Sequence, residues 1–159
     1  MPLVNPIQSV FQEYDGKPLP EHFHTSDRID FRDIFKKKIY IHHTIYGADA
    51  ATVGNYGVFW IAPFECVVSE IREVHQTAGS SADAALQIEK LTGTQALDAG
   101  VTLNTAIELD GTANTIVTAT LTATLADLNL SRGNRLSLKD AGTLTAVAGV
   151  SVIIEITIL

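Results

Sequence analysis

The sequence holds one cysteine, Cys66, among its 159 residues. A single thiol excludes an intrachain disulfide framework and a cysteine-based zinc knuckle. No apolar run reaches the ~20 residues that span a bilayer, because Ser151, Glu155 and Thr157 interrupt the best candidate, 147–159. The first ten residues carry Pro2, Asn5 and Pro6 and no basic stretch, so no secretion signal is visible. Aromatic residues amount to 7%, and positive charge is scarce, with 11 Lys and Arg against 18 Asp and Glu. Phosphate backbones are bound by clustered Lys and Arg, so a net charge of −7 argues against nucleic acid as a partner. These absences predict a soluble protein from a reducing compartment, with neither membrane nor nucleic acid as partner.

What is present suits one globular domain with an appended arm. The 46% of hydrophobic side chains is enough for one complete core at this length. The charge is unevenly placed. Residues 1–46 balance Lys17, Arg28, Arg32, Lys36, Lys37 and Lys38 against Glu13, Asp15, Glu21, Asp27, Asp30 and Asp33, so the whole −7 falls on 47–159. Four of the five prolines (Pro2, Pro6, Pro18, Pro20) and four of the five histidines also precede Gly47. Proline fixes φ and removes a donor, so 2–20 is expected to be extended and irregular. Thr25 or Ser26 can cap a short helix over 27–35, with Ile29, Phe31, Ile34 and Phe35 as a ragged apolar face. The division expected is an N-terminal arm, 1–46, and a β-sandwich domain, 47–159.

Strand patterns dominate the chain from residue 39 onward. Ile39, Ile41 and Ile45 alternate with Tyr40, His42, Thr44 and Tyr46. A short strand over 57–62 is closed by Pro63. In 66–76 the alternation slips, since Val67 and Ile71 share a face and Val74 falls on the other; one extra residue at a β-bulge restores the register. Leu86 and Ile88 alternate with Gln87 and Glu89, and 102–109 has a weaker pattern. The segment 116–125 is the most regular, with Val117, Ala119, Leu121, Ala123 and Leu125 on one face and a threonine ladder on the other. It predicts one half-buried strand. Leu136 and Leu138 alternate with Arg135, Ser137 and Lys139. Val150, Val152, Ile154, Ile156 and Ile158 form an inward row, which predicts a central strand. Turn signals fall at Gly79, Gly93, Gly111, Gly133 and Gly142. The reading is all-β: an antiparallel, jelly-roll-like β-sandwich with an N-terminal extended arm.

The chain carries no phosphate loop, dinucleotide fingerprint, nucleophile elbow or zincin pair. No catalytic residue, cofactor or metal is assigned. His22 and His24 would share one side of an extended chain and could chelate a metal, whereas His42 and His43 would point to opposite faces of a strand; surface or interface histidines are the simpler reading. Cys66 is expected to be a buried structural thiol, since a catalytic one needs a base beside it. Glu65, Glu70 and Glu73 could suggest a carboxylate pair for glycoside hydrolysis, but outward-facing solubilising charges are expected. Asn129-Leu130-Ser131 matches a glycosylation acceptor, read as chance without a secretion signal. Phe59, Trp60 and Phe64 are expected to pack in the core rather than to form a sugar-binding face.

Several runs carry a resemblance. They are Ala62-Pro63-Phe64-Glu65-Cys66, Glu73-Val74-His75-Gln76-Thr77-Ala78-Gly79, Glu89-Lys90-Leu91-Thr92-Gly93-Thr94 and Gly111-Thr112-Ala113-Asn114-Thr115. Gly133-Asn134-Arg135-Leu136-Ser137-Leu138 and Gly142-Thr143-Leu144-Thr145-Ala146-Val147-Ala148-Gly149-Val150 complete them. Through these turn and strand signatures, about two thirds of the chain resembles a group of tailed-bacteriophage virion proteins. The resemblance implies a small jelly-roll-like structural protein, most like a head-decoration or cement protein. Such proteins are typically trimers on the outer capsid lattice. It therefore implies a homo-oligomer, a trimer, that is made in the host cytoplasm, located in the virion and partnered by the major capsid protein.

The residues themselves agree with a non-enzymatic role. Phe11, Tyr14, Phe23, Phe31 and Phe35 seek burial that an isolated arm provides poorly, and Lys36, Lys37 and Lys38 suit a solvated run or an acidic surface. These eight residues are the expected interface, with the arm reaching a neighbouring subunit or the capsid. The alternatives are a receptor-binding or fibre-tip module recognising host carbohydrate through Trp60 or loop residues, and an ancillary domain of an enzyme. A chain with its own Met1 and no fused catalytic domain speaks against the last.

Overall fold

The computed structural model describes residues 37–159. The expectations placed on 2–20, the short helix over 27–35, the pair His22 and His24, and the contacts of Phe11, Tyr14, Phe23, Phe31, Phe35 and Lys36 lie outside the described residues. Within them the elements run β1 (Lys38–Ile45), two single turns of 3-10 helix (Gly47–Ala51 and Val53–Asn55), β2 (Val58–Ile61), β3 (Cys66–Thr77), β4 (Ala85–Leu91), β5 (Val101–Thr102) and β6 (Ile107–Glu108). They continue with β7 (Val117–Thr118), one α-helical turn (Leu125–Leu128), β8 (Asn129–Leu130), β9 (Arg135–Ala141) and β10 (Ala148–Ile158).

The strands form two five-stranded sheets. Sheet A has the order β1-β10-β3-β7, with β8 also on β3; sheet B has the order β2-β9-β4-β5, with β6 also on β4. Every pairing is antiparallel. The pairs are nested: β1 with β10, β2 with β9, β3 with β7 and β8, and β4 with β5 and β6. A long hairpin rolled around its own middle produces that nesting, and its successive arms alternate between two sheets. This is the jelly roll. The all-β antiparallel sandwich read from the sequence is therefore the one observed, while the extended arm falls outside the described residues.

Alternation explains which faces meet. Val150, Val152, Ile154 and Ile156 of β10 are buried, and β10 lies between β1 and β3 at the centre of sheet A. Ile158, expected in the same row, is half-buried at the strand's end. Leu86, Ile88, Leu136 and Leu138 supply the facing layer from β4 and β9. β3 does carry a bulge, but not at the slip expected between Ile71 and Val74: Glu155 pairs with Glu70 and Ile156 with Val68, so Ser69 is the extra residue, and it parts Val67 from Ile71. It turns Cys66, Val68, Ile71, Glu73 and His75 inward and leaves Val67 and Val74 half-buried.

Three further expectations need correction. The first is the boundary at residue 46. β1 pairs with β10 over its whole length, from Lys38 opposite Thr157 to Ile45 opposite Val150. Ile41 and Ile45 belong to the core. β1 is thus part of the sandwich, and the composition change near Gly47 marks only the loop after it.

The second correction concerns 116–125, the most regular pattern in the sequence. Only Val117 and Thr118 pair as a strand. Ala119 still donates its N–H to Ile71 in sheet A, but Thr122 donates to Leu103 and Thr120 accepts from Thr105 on the sheet B side. The segment crosses from one sheet to the other and closes that flank of the sandwich. Val117, Ala119 and Leu121 pack against the core, while Leu125 is 75% exposed at the start of the helical turn. Alternation reports which face is apolar, and a crossing segment keeps that property without a continuous ladder. The third correction, Glu73, belongs to the polar groups described next.

Candidate functional surface

Two polar arrangements stand out from this apolar frame, one on the outer face of sheet A and one inside it. On the outer face, cross-strand register sets residues in rows: Tyr40, Glu155 and Glu70; His42, Ile153 and Arg72; Thr44, Ser151 and Val74. The first row is an ion-pair cluster. Lys38 Nζ lies 2.7 Å from Glu155 Oε1, and the Ser69 hydroxyl, brought there by the bulge, donates to the same oxygen at 2.8 Å. The ammonium, this hydroxyl and Tyr40 hold the Glu155 carboxyl down at about 2. Glu155 is covered by these neighbours although it sits on an outer face. The carboxylate in turn pushes the Tyr40 phenol above its usual range.

The second row and, from the third, Ser151 and Val74 line a shallow recess of about 260 Å³ together with Glu73 and Ile116. Its floor is apolar, and Ile116 on the rim is 69% exposed. Arg72 Nη2 reaches Glu70 Oε2 at 3.1 Å, but its Nε is buried without a partner. His42 Nε2 lies 3.0 Å from Thr44 Oγ1, which also meets Ser151 Oγ at 2.9 Å. Chemically the recess suits a small apolar group carrying an acceptor for Arg72.

Inside the sandwich, Glu73 and His75 are 1% and 0% exposed. Glu73 was expected to face solvent. The bulge at Ser69 reverses the parity of β3 and sends Glu73 inward beside His75, with Nδ1 at 3.1 Å from Oε1. Burial pushes its carboxyl above the usual range, with His75 opposing that shift. Other buried polar groups are fully occupied in holding loops. Glu89 accepts the N–H groups of Asp98 and Gly100 at 3.0 and 3.1 Å. Lys90 Nζ donates to the carbonyls of Ala126, Asp127 and Asn129 around the helical turn. Asn104 Oδ1 accepts from Ile88 N–H, pinning the stretch between β5 and β6. A one-residue parity change at the bulge could have revealed Glu73; nothing in the local sequence marks Glu89, Lys90 or Asn104 as buried.

The other residues singled out from the sequence fall as follows. Lys37 is exposed and Lys38 is engaged with Glu155. His42 and His43 do face opposite ways, His42 toward the recess and His43 stacked on Phe59 at 5.1 Å. Burial, then His42, lowers the pKa of His43. Cys66 is fully buried, and burial pushes its thiol up, away from the reactive thiolate. Phe59, Trp60 and Phe64 pack half-buried against the core. Glu65 is exposed and Glu70 half-buried on the outer face. Asn129 is exposed at the start of β8. Among the described residues, no three His, Cys, Asp or Glu side chains converge as a metal site, and no helix is long and apolar enough to cross a membrane.

In comparisons with known proteins, the chain matches no protein-family model and no curated sequence.

Proposed function

We propose that this chain is a non-enzymatic structural protein of a tailed-phage particle, seated as a trimer on the outer surface of the head. The residues ahead of β1 make contacts with a neighbouring subunit or with the major capsid protein, and no cofactor takes part. The observation that carries this reading is the nested jelly roll with its filled interior. That architecture serves viral capsid and lectin domains. A closed body of this kind is a stiff platform rather than a cleft. Buried Glu89 and Lys90 hold their own loops instead of converging on an open site.

β1 supports the same reading. Among the described residues it is an eight-residue edge strand, without proline or glycine, and the aromatic-bearing residues 1–36 precede it in the sequence. Phe11, Tyr14, Phe23, Phe31 and Phe35 would gain burial on a neighbour. Many weak contacts held at high local concentration give tight overall binding.

Light scattering on the purified chain, followed by co-sedimentation with undecorated heads, tests the proposal. A trimer that pellets with heads and saturates is expected. A monomer that stays in the supernatant at every head concentration overturns it.

A further inference from the structure

The interior pair beneath the recess supports an inference separate from the virion reading. His75 is enclosed on the inward face of β3, and both of its ring nitrogens meet oxygen. Nδ1 lies 3.1 and 3.4 Å from the two carboxyl oxygens of Glu73, and Nε2 lies 3.3 Å from the carbonyl oxygen of Gly111. A backbone carbonyl only accepts, so Nε2 carries a hydrogen. Nδ1 then faces the Glu73 carboxyl, and one proton must lie between them. It sits either on Nδ1, giving an imidazolium and a carboxylate, or on the carboxyl, giving two neutral partners. In both arrangements the pair is neutral and every contact is satisfied. Without that proton the neutral ring keeps one hydrogen for two oxygen partners: on Nδ1 it serves the Glu73 carboxylate and leaves the Nε2 lone pair against the Gly111 carbonyl, and on Nε2 it holds Gly111 and leaves a lone pair against a buried carboxylate.

The contacts lead outward to one loop. The Gly111 carbonyl belongs to the connection between β6 and β7, and the backbone oxygen of His75 accepts the Asn114 N–H of the same connection at 2.7 Å. Asn114 is held at φ +59°, a conformation that non-glycine residues rarely adopt. Two residues later, Ile116 forms the rim of the recess on the outer face of sheet A. One histidine therefore fastens the loop through its ring and its backbone, and the loop supplies a wall of the recess.

We propose that Glu73 and His75 form a one-proton latch: while the pair holds its proton the 110–116 loop stays fastened to β3, and loss of that proton releases the loop and opens the recess at Ile116. The other ionisable groups facing the pair do not replace the missing proton. Tyr56, ahead of β2, is buried and donates its hydroxyl to the Ala50 carbonyl. Asp140 of β9 acts on Tyr56 and is acidic. Arg72 points to the opposite face of β3 and is paired with Glu70, and Asp110 in the loop is exposed. The register neighbours of Glu73 and His75 on β10 and β7 are Val152, Val150 and Val117.

The test uses the full chain. Ring nitrogen shifts of His75 are followed by NMR as pH is raised, together with the exchange protection of two amides, Asn114 on the loop and Ala119, which bonds Ile71 of the same strand. As the pair loses its proton, Asn114 protection is expected to fall at least about tenfold relative to Ala119. In Glu73→Gln the amide donates to Nδ1 of a neutral imidazole, so the contacts persist without a removable proton, and Asn114 protection is expected to stay level over the same range. The proposal is overturned if Asn114 and Ala119 lose protection together, if Asn114 stays protected after the ring loses its proton, or if the Gln variant follows the wild-type curve. Should the variant fail to fold, the wild-type comparison of the two amides decides by itself.

Discussion

At the scale of single residues, the consequential positions are buried polar groups, because each has one arrangement that satisfies it. Glu89 is fully buried and both of its oxygens accept backbone N–H groups. Glu89→Gln keeps the size but turns an amide donor toward one of those N–H groups. Leaving a buried donor unpaired costs about 1–3 kcal/mol, which a urea midpoint will show. Gly142 is consequential for a different reason, its backbone conformation. Its φ is +68°, and a Cβ there would overlap the Asp83 carbonyl, which is backbone and cannot swing aside. Gly142→Ala should cost at least about 1–3 kcal/mol from the strained φ alone, read as a lower melting temperature. Glu155 makes stability depend on pH. Its folded carboxyl titrates at about 2, below the ordinary value of 4.5. The stabilisation is therefore complete above about 4.5 and is lost as pH falls toward about 2. Between pH 5 and 2 the urea midpoint of the wild type should fall more steeply than that of Glu155→Gln. Parallel curves would show that the Lys38 and Ser69 contacts contribute nothing to folding.

At the scale of elements, two substitutions in β10 separate the faces of sheet A. Ile154 is fully buried and Ile153 is 38% exposed, although they are adjacent. Ile154→Ala leaves a cavity and should cost about 2–5 kcal/mol, while Ile153→Ala should cost no more than about 1 kcal/mol. The same two-residue period explains what could be read from the sequence. β10, β9 and β4 are each long enough to repeat their alternation several times, so their inward rows were evident from the residues alone. An irregularity in β3 was legible, but its place was not: the slip was read between Ile71 and Val74, whereas the extra residue is Ser69, and the face to which Glu73 belongs depends on that place. Segment 116–125 misled for the opposite reason. Its alternation is real, but hydrogen-bond partners on two different sheets leave no signature in one stretch of chain. The recess was illegible too, since Ile116, Arg72 and Ile153 come from three separate segments and meet only through register. Even the Glu155 cluster needs three strand segments: Lys38 from β1, Ser69 from β3 and the carboxylate from β10.

At the scale of the whole molecule, the start of β1 is the point that decides which residues the sandwich needs. β1 covers one edge of β10, and Ile41 and Ile45 fill the core beneath it. Lys37 contributes its carbonyl to the Ile158 N–H, and Lys38 neutralises Glu155. Removing residues 1–36 leaves these contacts in place, so the remaining 37–159 chain should unfold cooperatively, with a strand-rich circular dichroism spectrum. Removing 1–46 takes away β1 itself. Burying the two isoleucines is worth about 1.5–3 kcal/mol each, and their loss would be joined by the stripped edge of β10 and an unpaired Glu155. Net stabilities of domains are only about 5–15 kcal/mol, so the shorter chain should be largely unfolded or aggregated through the exposed strand edge. Sedimentation with undecorated heads then separates the two roles. If residues 1–36 provide the clasp, the folded 37–159 chain should lose retention on heads at least about tenfold, as expected when linked weak contacts are removed. Undiminished retention would place the attachment on the jelly roll itself, with the recess-bearing face of sheet A the first surface to mutate.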